Sequence, residues 1–214
     1  MPKQTFYNLI TEKQEKIMRS AINEFLNNGY EKGNIGNIAK NAGVAKGSMY
    51  QYFENKKELF LFCIQWASTL IVQKYGNFSA YKEKEINLFD YIYESTTAMW
   101  FQIKEERNVI TFIQNAFMGN YGSVTEEATK SMMEISNTYT LNLIRDGKKH
   151  GYIRKDIDDM MLLMFMTGAF AKIREYLFKK SDNLGQNILD EDFEEYKKQS
   201  KAMLDLIKNG MGAK

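Results

Sequence analysis

Proline occurs once in the 214 residues, at position 2. Proline breaks helices because it lacks an N–H and its ring collides with the preceding turn. A chain without it from residue 3 onward can run helix after helix, with glycine and asparagine left to mark the ends. Apolar residues recur at helical spacing, as in Ile17, Ala21 and Phe25 flanked by Ile22 and Leu26. Thr11 is placed to cap that first helix, which the pattern carries to about Asn28, with Gly29 as a left-handed stop. Asn34 can cap a short helix over 35–41 that Gly43 ends. A second short helix is expected over 46–52. Asn55, with Glu58 three residues on, resembles a capping box at the start of a long one.

Two helices this short are unstable alone and need tertiary support. Phe25, Ile38, Val44, Met49 and Phe53 can supply a shared core, so residues 1–54 read as a three-helix domain. Residues 55–214 read as a helical bundle. Its helices are expected at about 56–75, 85–105, 107–118, 124–146, 157–180 and 190–209, giving about nine in total. The breaks fall at Gly76-Asn77, Gly119 to Gly122, Gly147 to Gly151 and Ser181 to Gly185. The fold class is all-α, with an N-terminal helix-turn-helix domain and a C-terminal bundle.

Composition narrows the function. With 44% hydrophobic and 26% charged residues, this is a globular chain. A single cysteine, Cys63, allows no intramolecular disulfide and fits a reducing compartment. The apolar runs at 66–72 and 160–171 fall short of the roughly 18 residues of a membrane span. The N-terminus has no signal-peptide core. A cytoplasmic location away from membranes is expected. One histidine and one cysteine assemble no nucleophilic pair or zinc cluster, so neither catalysis nor a metal or cofactor is expected. His150 lies at a helix end, where a cation complements the dipole, and Cys63 in FLFCIQW reads as a core thiol.

Residues 1–58 hold nine Lys/Arg against six Asp/Glu, and the rest hold 20 against 21. The excess is small but lies at the end where a helix-turn-helix pattern occupies 35–53. Ala39 is small where the two helices would cross, and Gly43 suits the turn. Val44 and Met49 are expected to face the core. Lys46, Gly47, Ser48, Tyr50, Gln51 and Tyr52 are left for the outer face of 46–52. Lysine can meet phosphate or guanine, glutamine can pair with adenine, and hydroxyls can donate to phosphate. Gly47 lets a backbone come close. Lys56, at the start of the next helix, suits a phosphate. The competing reading is that the tyrosines pack and the lysines are solvated.

KNAGVAKGSMYQYFENKKELF, at 40–60, resembles the DNA-binding segment of the tetracycline-repressor (TetR) family of bacterial regulators. The resemblance runs from about Ile17 to Phe60. The resemblance implies a homodimer that binds a double-stranded operator through recognition helix 46–52 and is released by a small molecule. It implies DNA contacts from Asn34, Lys46, Gly47, Ser48, Tyr50, Gln51, Tyr52 and Lys56. Ala45 stands where the family commonly has Ser or Thr, at a cost of about 1 kcal/mol in capping, and Gln51 stands where His is common.

The bundle is less specific. The chain's 13 methionines and many aromatics suit a pocket for a bulky apolar molecule, although most such residues in a bundle are core. Trp66, Trp100, Phe112, Asn115, Tyr139 and Met164 are the candidate pocket lining. The stretch 160–171 is apolar on every face, and the last helix carries Phe193, Tyr196, Met203, Leu204 and Ile207 in a stripe. Helices 157–180 and 190–209 are therefore expected to form a homodimer interface. The expected function is a ligand-responsive transcriptional regulator, most simply a repressor on a palindromic site. The alternative is a DNA-binding protein without a small-molecule effector, acting structurally or through a protein partner.

Overall fold

The computed structural model describes residues 1–75, 87–94, 104–183 and 193–211. Its elements are α1 (Gln4–Tyr7), α2 (Thr11–Lys32), α3 (Ile35–Ala42), α4 (Lys46–Tyr52) and α5 (Lys56–Tyr75). Residues 88–94 are helical (α6), followed by α7 (Arg107–Phe117), α8 (Thr125–Lys149), α9 (Asp159–Asn183) and α10 (Phe193–Met211). Turns of 3-10 helix precede α7 and α8 at Lys104–Glu106 and Gly122–Val124. The fold is all-α, with a helix-turn-helix at the N-terminal end. No helix among the described residues is long and apolar enough to cross a membrane.

Several ends differ from expectation. Ile10, not Thr11, holds the N-cap position of α2, with no side-chain bond to the helix. Gly29 breaks the helical backbone as expected (φ +68°, ψ 176°), but a further turn follows it to Lys32. α8 passes through Gly147 to Lys149. A Cβ on Gly147 would lie 2.7 Å from Ile153 Cδ1 and 3.0 Å from Leu88 Cδ2. That glycine permits close packing, and Gly151 (φ +77°) takes the turn. The four-residue α1 went unforeseen because one turn has no periodicity to read. The break at Gly76-Asn77 lies outside the described residues.

The chain forms two compact units. The first comprises Met1–Ile71 and Glu106–Ile135, the second Val72–Glu105 and Ser136–Lys214. The first unit therefore runs past residue 54 and takes in part of the bundle. The three short helices of the N-terminal end bury too little apolar surface alone. α5, α7 and the start of α8 complete their core with Phe60, Phe112, Tyr121, Val124 and Ala128. Phe60 is at the centre, with ring centroids 5.1 Å from Phe25, 5.2 Å from Tyr30, 5.5 Å from Phe112 and 4.8 Å from Tyr121. Polar contacts rim this core. Arg19 makes a two-pronged bond to buried Glu106 at 2.6 and 2.9 Å, Asn108 donates to Asn23, and Ser123 donates to Glu31.

The second unit has its own core around Leu88, Ile92, Ile144, Leu162, Leu163, Met166, Leu204 and Ile207. The apolar stripe of α10 thus points inward, and its exposed large residue is Leu206. α9 is divided. Leu162, Leu163 and Met166 are buried, while Met160, Met161, Met164 and Phe165 are exposed. At about 100° per residue the exposed four span an arc of roughly 140°.

The turn between α8 and α9 is held by ion pairs. Lys148 and Arg145 both reach Asp159, and Arg154 pairs with Asp156. The hydrogen bond from Arg154 holds the Asp156 carboxyl down at about 2. Its folded value lies below the unfolded one, so its contribution is present above about pH 4 and lost as pH falls through about 2. An NMR titration of the Asp156 carboxyl carbon should show a midpoint near 2, and Arg154→Met should move that midpoint upward.

Candidate nucleic-acid interface

Asn34 begins α3 as its sequence suggests. The side-chain oxygen accepts from the Gly36 N–H at 2.7 Å, from an extended backbone (φ −119°). α3 ends in a full Schellman turn. Gly43 sits in the left-handed region (φ +70°, ψ +36°), its N–H donates to Lys40 C=O, and the Val44 N–H donates to Ala39 C=O. Any residue with a Cβ is strained at that φ. This turn sets the direction of α4.

α4 spans Lys46–Tyr52, and Ala45 at its N-cap supplies no side-chain bond. Met49 and Tyr52 point inward. Lys46, Gly47, Tyr50 and Gln51 are exposed and Ser48 is half-buried. The Lys46 stem lies across α3, since a Cβ on Gly36 would sit 3.7 Å from Lys46 Cδ. A Cβ on Gly47 would meet nothing within 4 Å, so no packing inside the protein requires glycine there. Residues 32–53 include Lys32, Lys40 and Lys46 and no acidic residue.

Tyr52 is a correction to the candidate set. It is only 8% exposed, with its ring 6.2 Å from Phe6 in edge contact. It faces the core because position 52 follows Met49 by three and shares its side of the helix. Lys56 is engaged within the protein. Its ammonium donates to Glu31 C=O at 2.9 Å and lies 4.7 Å from the Tyr30 ring centroid, tying α5 to the kinked end of α2.

Glu24 escaped the sequence reading. It is buried and accepts from the Asn34 N–H at 3.0 Å and from Asn37 Nδ2 at 3.3 Å. It fixes the start of α3 from below. The signal was present: a carboxylate in the apolar stripe of α2, beside Phe25, needs a buried donor.

The bundle candidates are divided between the two units. Phe112 is fully buried between Phe60 and Tyr121, and is core rather than lining. Asn115 is hydrogen-bonded to the Tyr121 hydroxyl, which also donates to Phe112 C=O at 3.1 Å. Burial drives the Tyr121 phenol well above its ordinary range. Trp66 is half-buried with the Arg19 guanidinium 5.7 Å from its ring. These three belong to the first unit. In the second, Tyr139 is half-buried and Met164 is exposed. Trp100 lies outside the described residues. A small cavity of about 40 Å³ between α6 and α10, edged by Phe89, Asp90, Tyr93, Lys201 and Lys208, includes none of the six. Among the described residues, no cluster of His, Cys, Asp and Glu could hold a metal ion.

A capped helix, a glycine turn and a second helix with an outward polar face, in an acid-free stretch, define a helix-turn-helix DNA-binding domain. Comparison with known proteins agrees. Residues 17–62 match the model of bacterial regulatory proteins of the tetR family. The chain is 26% identical over 171 residues to the biofilm operon icaADBC HTH-type negative transcriptional regulator IcaR of Staphylococcus aureus, covering 74% of this chain and 83% of that one. It is 34% identical over 74 residues to the fatty acid metabolism regulator protein of Bacillus subtilis, 35% of this chain and 34% of the relative. The fold is similar to that of FadR from Bacillus subtilis in complex with stearoyl-CoA, with a TM-score of 0.65, 18% identity and coverage of 92% and 98%. Residues 17–62 thus carry the DNA-binding domain of the TetR family of bacterial regulatory proteins.

Proposed function

We propose that the protein is a dimeric transcriptional repressor that reads a palindromic operator through α4 and is released by a bulky, largely apolar molecule. The observation that carries DNA reading is the division of α4. Met49 and Tyr52 anchor it, and Lys46, Gly47, Ser48, Tyr50 and Gln51 face out. The open space at Gly47 lets a phosphate backbone approach, and Asn34 is at the adjacent helix start, where N–H groups favour phosphate. Repression is drawn from IcaR, named a negative transcriptional regulator.

The exposed apolar arc of α9 supports dimerisation, because contiguous exposed apolar surface marks an interface. Two recognition helices would then enter successive major grooves about 34–36 Å apart. An acyl-type ligand fits a methionine-rich bundle, and the Bacillus subtilis structure holds stearoyl-CoA. Effector-free DNA binding is the second reading. The full burial of Phe112 between Phe60 and Tyr121, as core rather than lining, favours it.

Footprinting of DNA flanking the gene, at two salt concentrations and with and without long-chain acyl-CoA, tests both. A protected palindrome released by acyl-CoA supports the first reading, and protection indifferent to every ligand supports the second. Lys46→Met should weaken all sequences and reduce the salt slope by about one. Gln51→Ala should relax preference at one base pair, at about 1–3 kcal/mol. Equal, sequence-independent losses from both would contradict base reading by Gln51.

A further inference from the structure

A helix leaves its last four carbonyls without helical partners. In α4 these belong to Met49, Tyr50, Gln51 and Tyr52. The Met49 carbonyl accepts from Phe53 N–H at 2.8 Å, inside the same turn. The other three all accept from one short segment far away in sequence. Lys3 Nζ donates to Tyr50 C=O at 3.0 Å, Thr5 Oγ1 donates to Gln51 C=O, and Lys3 N–H donates to Tyr52 C=O at 2.8 Å. The segment is itself pinned. Phe6 is fully buried, its ring 5.0 Å from Phe53 and 5.6 Å from Phe62, and Gln14 donates to the Tyr7 and Leu9 carbonyls beyond it.

We propose that residues 3–7 are a positioning arm for the recognition helix, capping its C-terminal turn and thereby fixing Tyr50 and Gln51 for DNA. The inference rests on the reading of α4 as the DNA-contacting helix. Its physical need is plain. α4 has seven residues and no N-cap side chain, and a helix of that length does not persist unaided. Tyr50 and Gln51 lie in its last turn, where fraying begins. Their carbonyl bonds to the arm are solvent-exposed, so water can replace the lost donors. Removing them therefore loosens the turn more than it destabilises the core. Thr5 and Lys3 touch no base in this account and act through α4.

The test uses the full chain with Lys3→Met and Thr5→Val, singly and together, and Thr5→Ser as the conservative control. Amide hydrogen exchange is read at 50–53, the last turn of α4 and its C-cap, and at 38–42 in α3. Affinity is measured for a duplex that the unaltered chain enriches from a random pool. The double variant should lose about tenfold in α4 protection, change α3 by less than about threefold, and bind the duplex about tenfold more weakly. Thr5→Ser should retain both. Unchanged α4 protection, or equal losses in α3 and α4, would overturn the arm. So would a loosened α4 with full affinity. If the pool yields no enriched sequence, the DNA reading of α4 fails, while exchange still decides whether the arm caps it.

Discussion

Phe60→Ala is expected to destabilise the first unit by about 4 kcal/mol, near the top of the range for a single core truncation. Phe60 is fully buried and touches four other aromatic rings, from α2, α7 and the turn before α8. The hole cannot close by a local shift, because each neighbour is fixed by a different element. Edge contacts between rings are lost in addition to buried area. Stability of a typical domain is about 5–15 kcal/mol, so a loss of this size leaves little margin. Urea unfolding followed by fluorescence and circular dichroism should show the midpoint fall, with the slope kept. A loss under about 1.5 kcal/mol would mean that Phe60 is not the keystone of a core shared by the helix-turn-helix and α7.

Met164→Glu is expected to convert a dimer into monomers while leaving the fold intact. Met164 is 58% exposed on α9, beside Met160, Met161 and Phe165. In the monomer a carboxylate there stays in water and costs nothing in packing. In a two-fold interface each substitution occurs twice, and burying unpaired charge costs several kcal/mol per ion. Self-association should weaken by at least about 100-fold, and affinity for a palindrome should fall with it. Sedimentation velocity, with circular dichroism as the control for folding, measures this. A variant that still sediments as a dimer would place the interface elsewhere.

The corrected positions share a pattern. Composition and proline-free periodicity were enough for an all-α chain, and α4 and the start of α5 lie where the glycine, asparagine and apolar signals place them. Asn34 and Gly43 were legible because caps and left-handed turns are local chemistry. Tyr52, Phe112 and Met164 were misread because each depends on which side of its helix meets a neighbour. Tyr52 and Phe112 went into the core against Phe6 and Phe60, and Met164 turned outward. Glu24 was hidden by its long-range partner Asn34.

The sequence alone determined the all-α class, the helix-turn-helix and the family resemblance of its DNA-binding segment, since these rest on contacts within a few residues of one another. Only the tertiary structure decided that the N-terminal helices share a core with α7 and α8, that α9 leaves one face uncovered, and that residues 3–5 donate to the carbonyls at the end of α4. Those facts join residues up to about a hundred positions apart, such as Arg19 and Glu106. Helical periodicity shows which residues share a face, but contacts at that separation depend on how the elements pack.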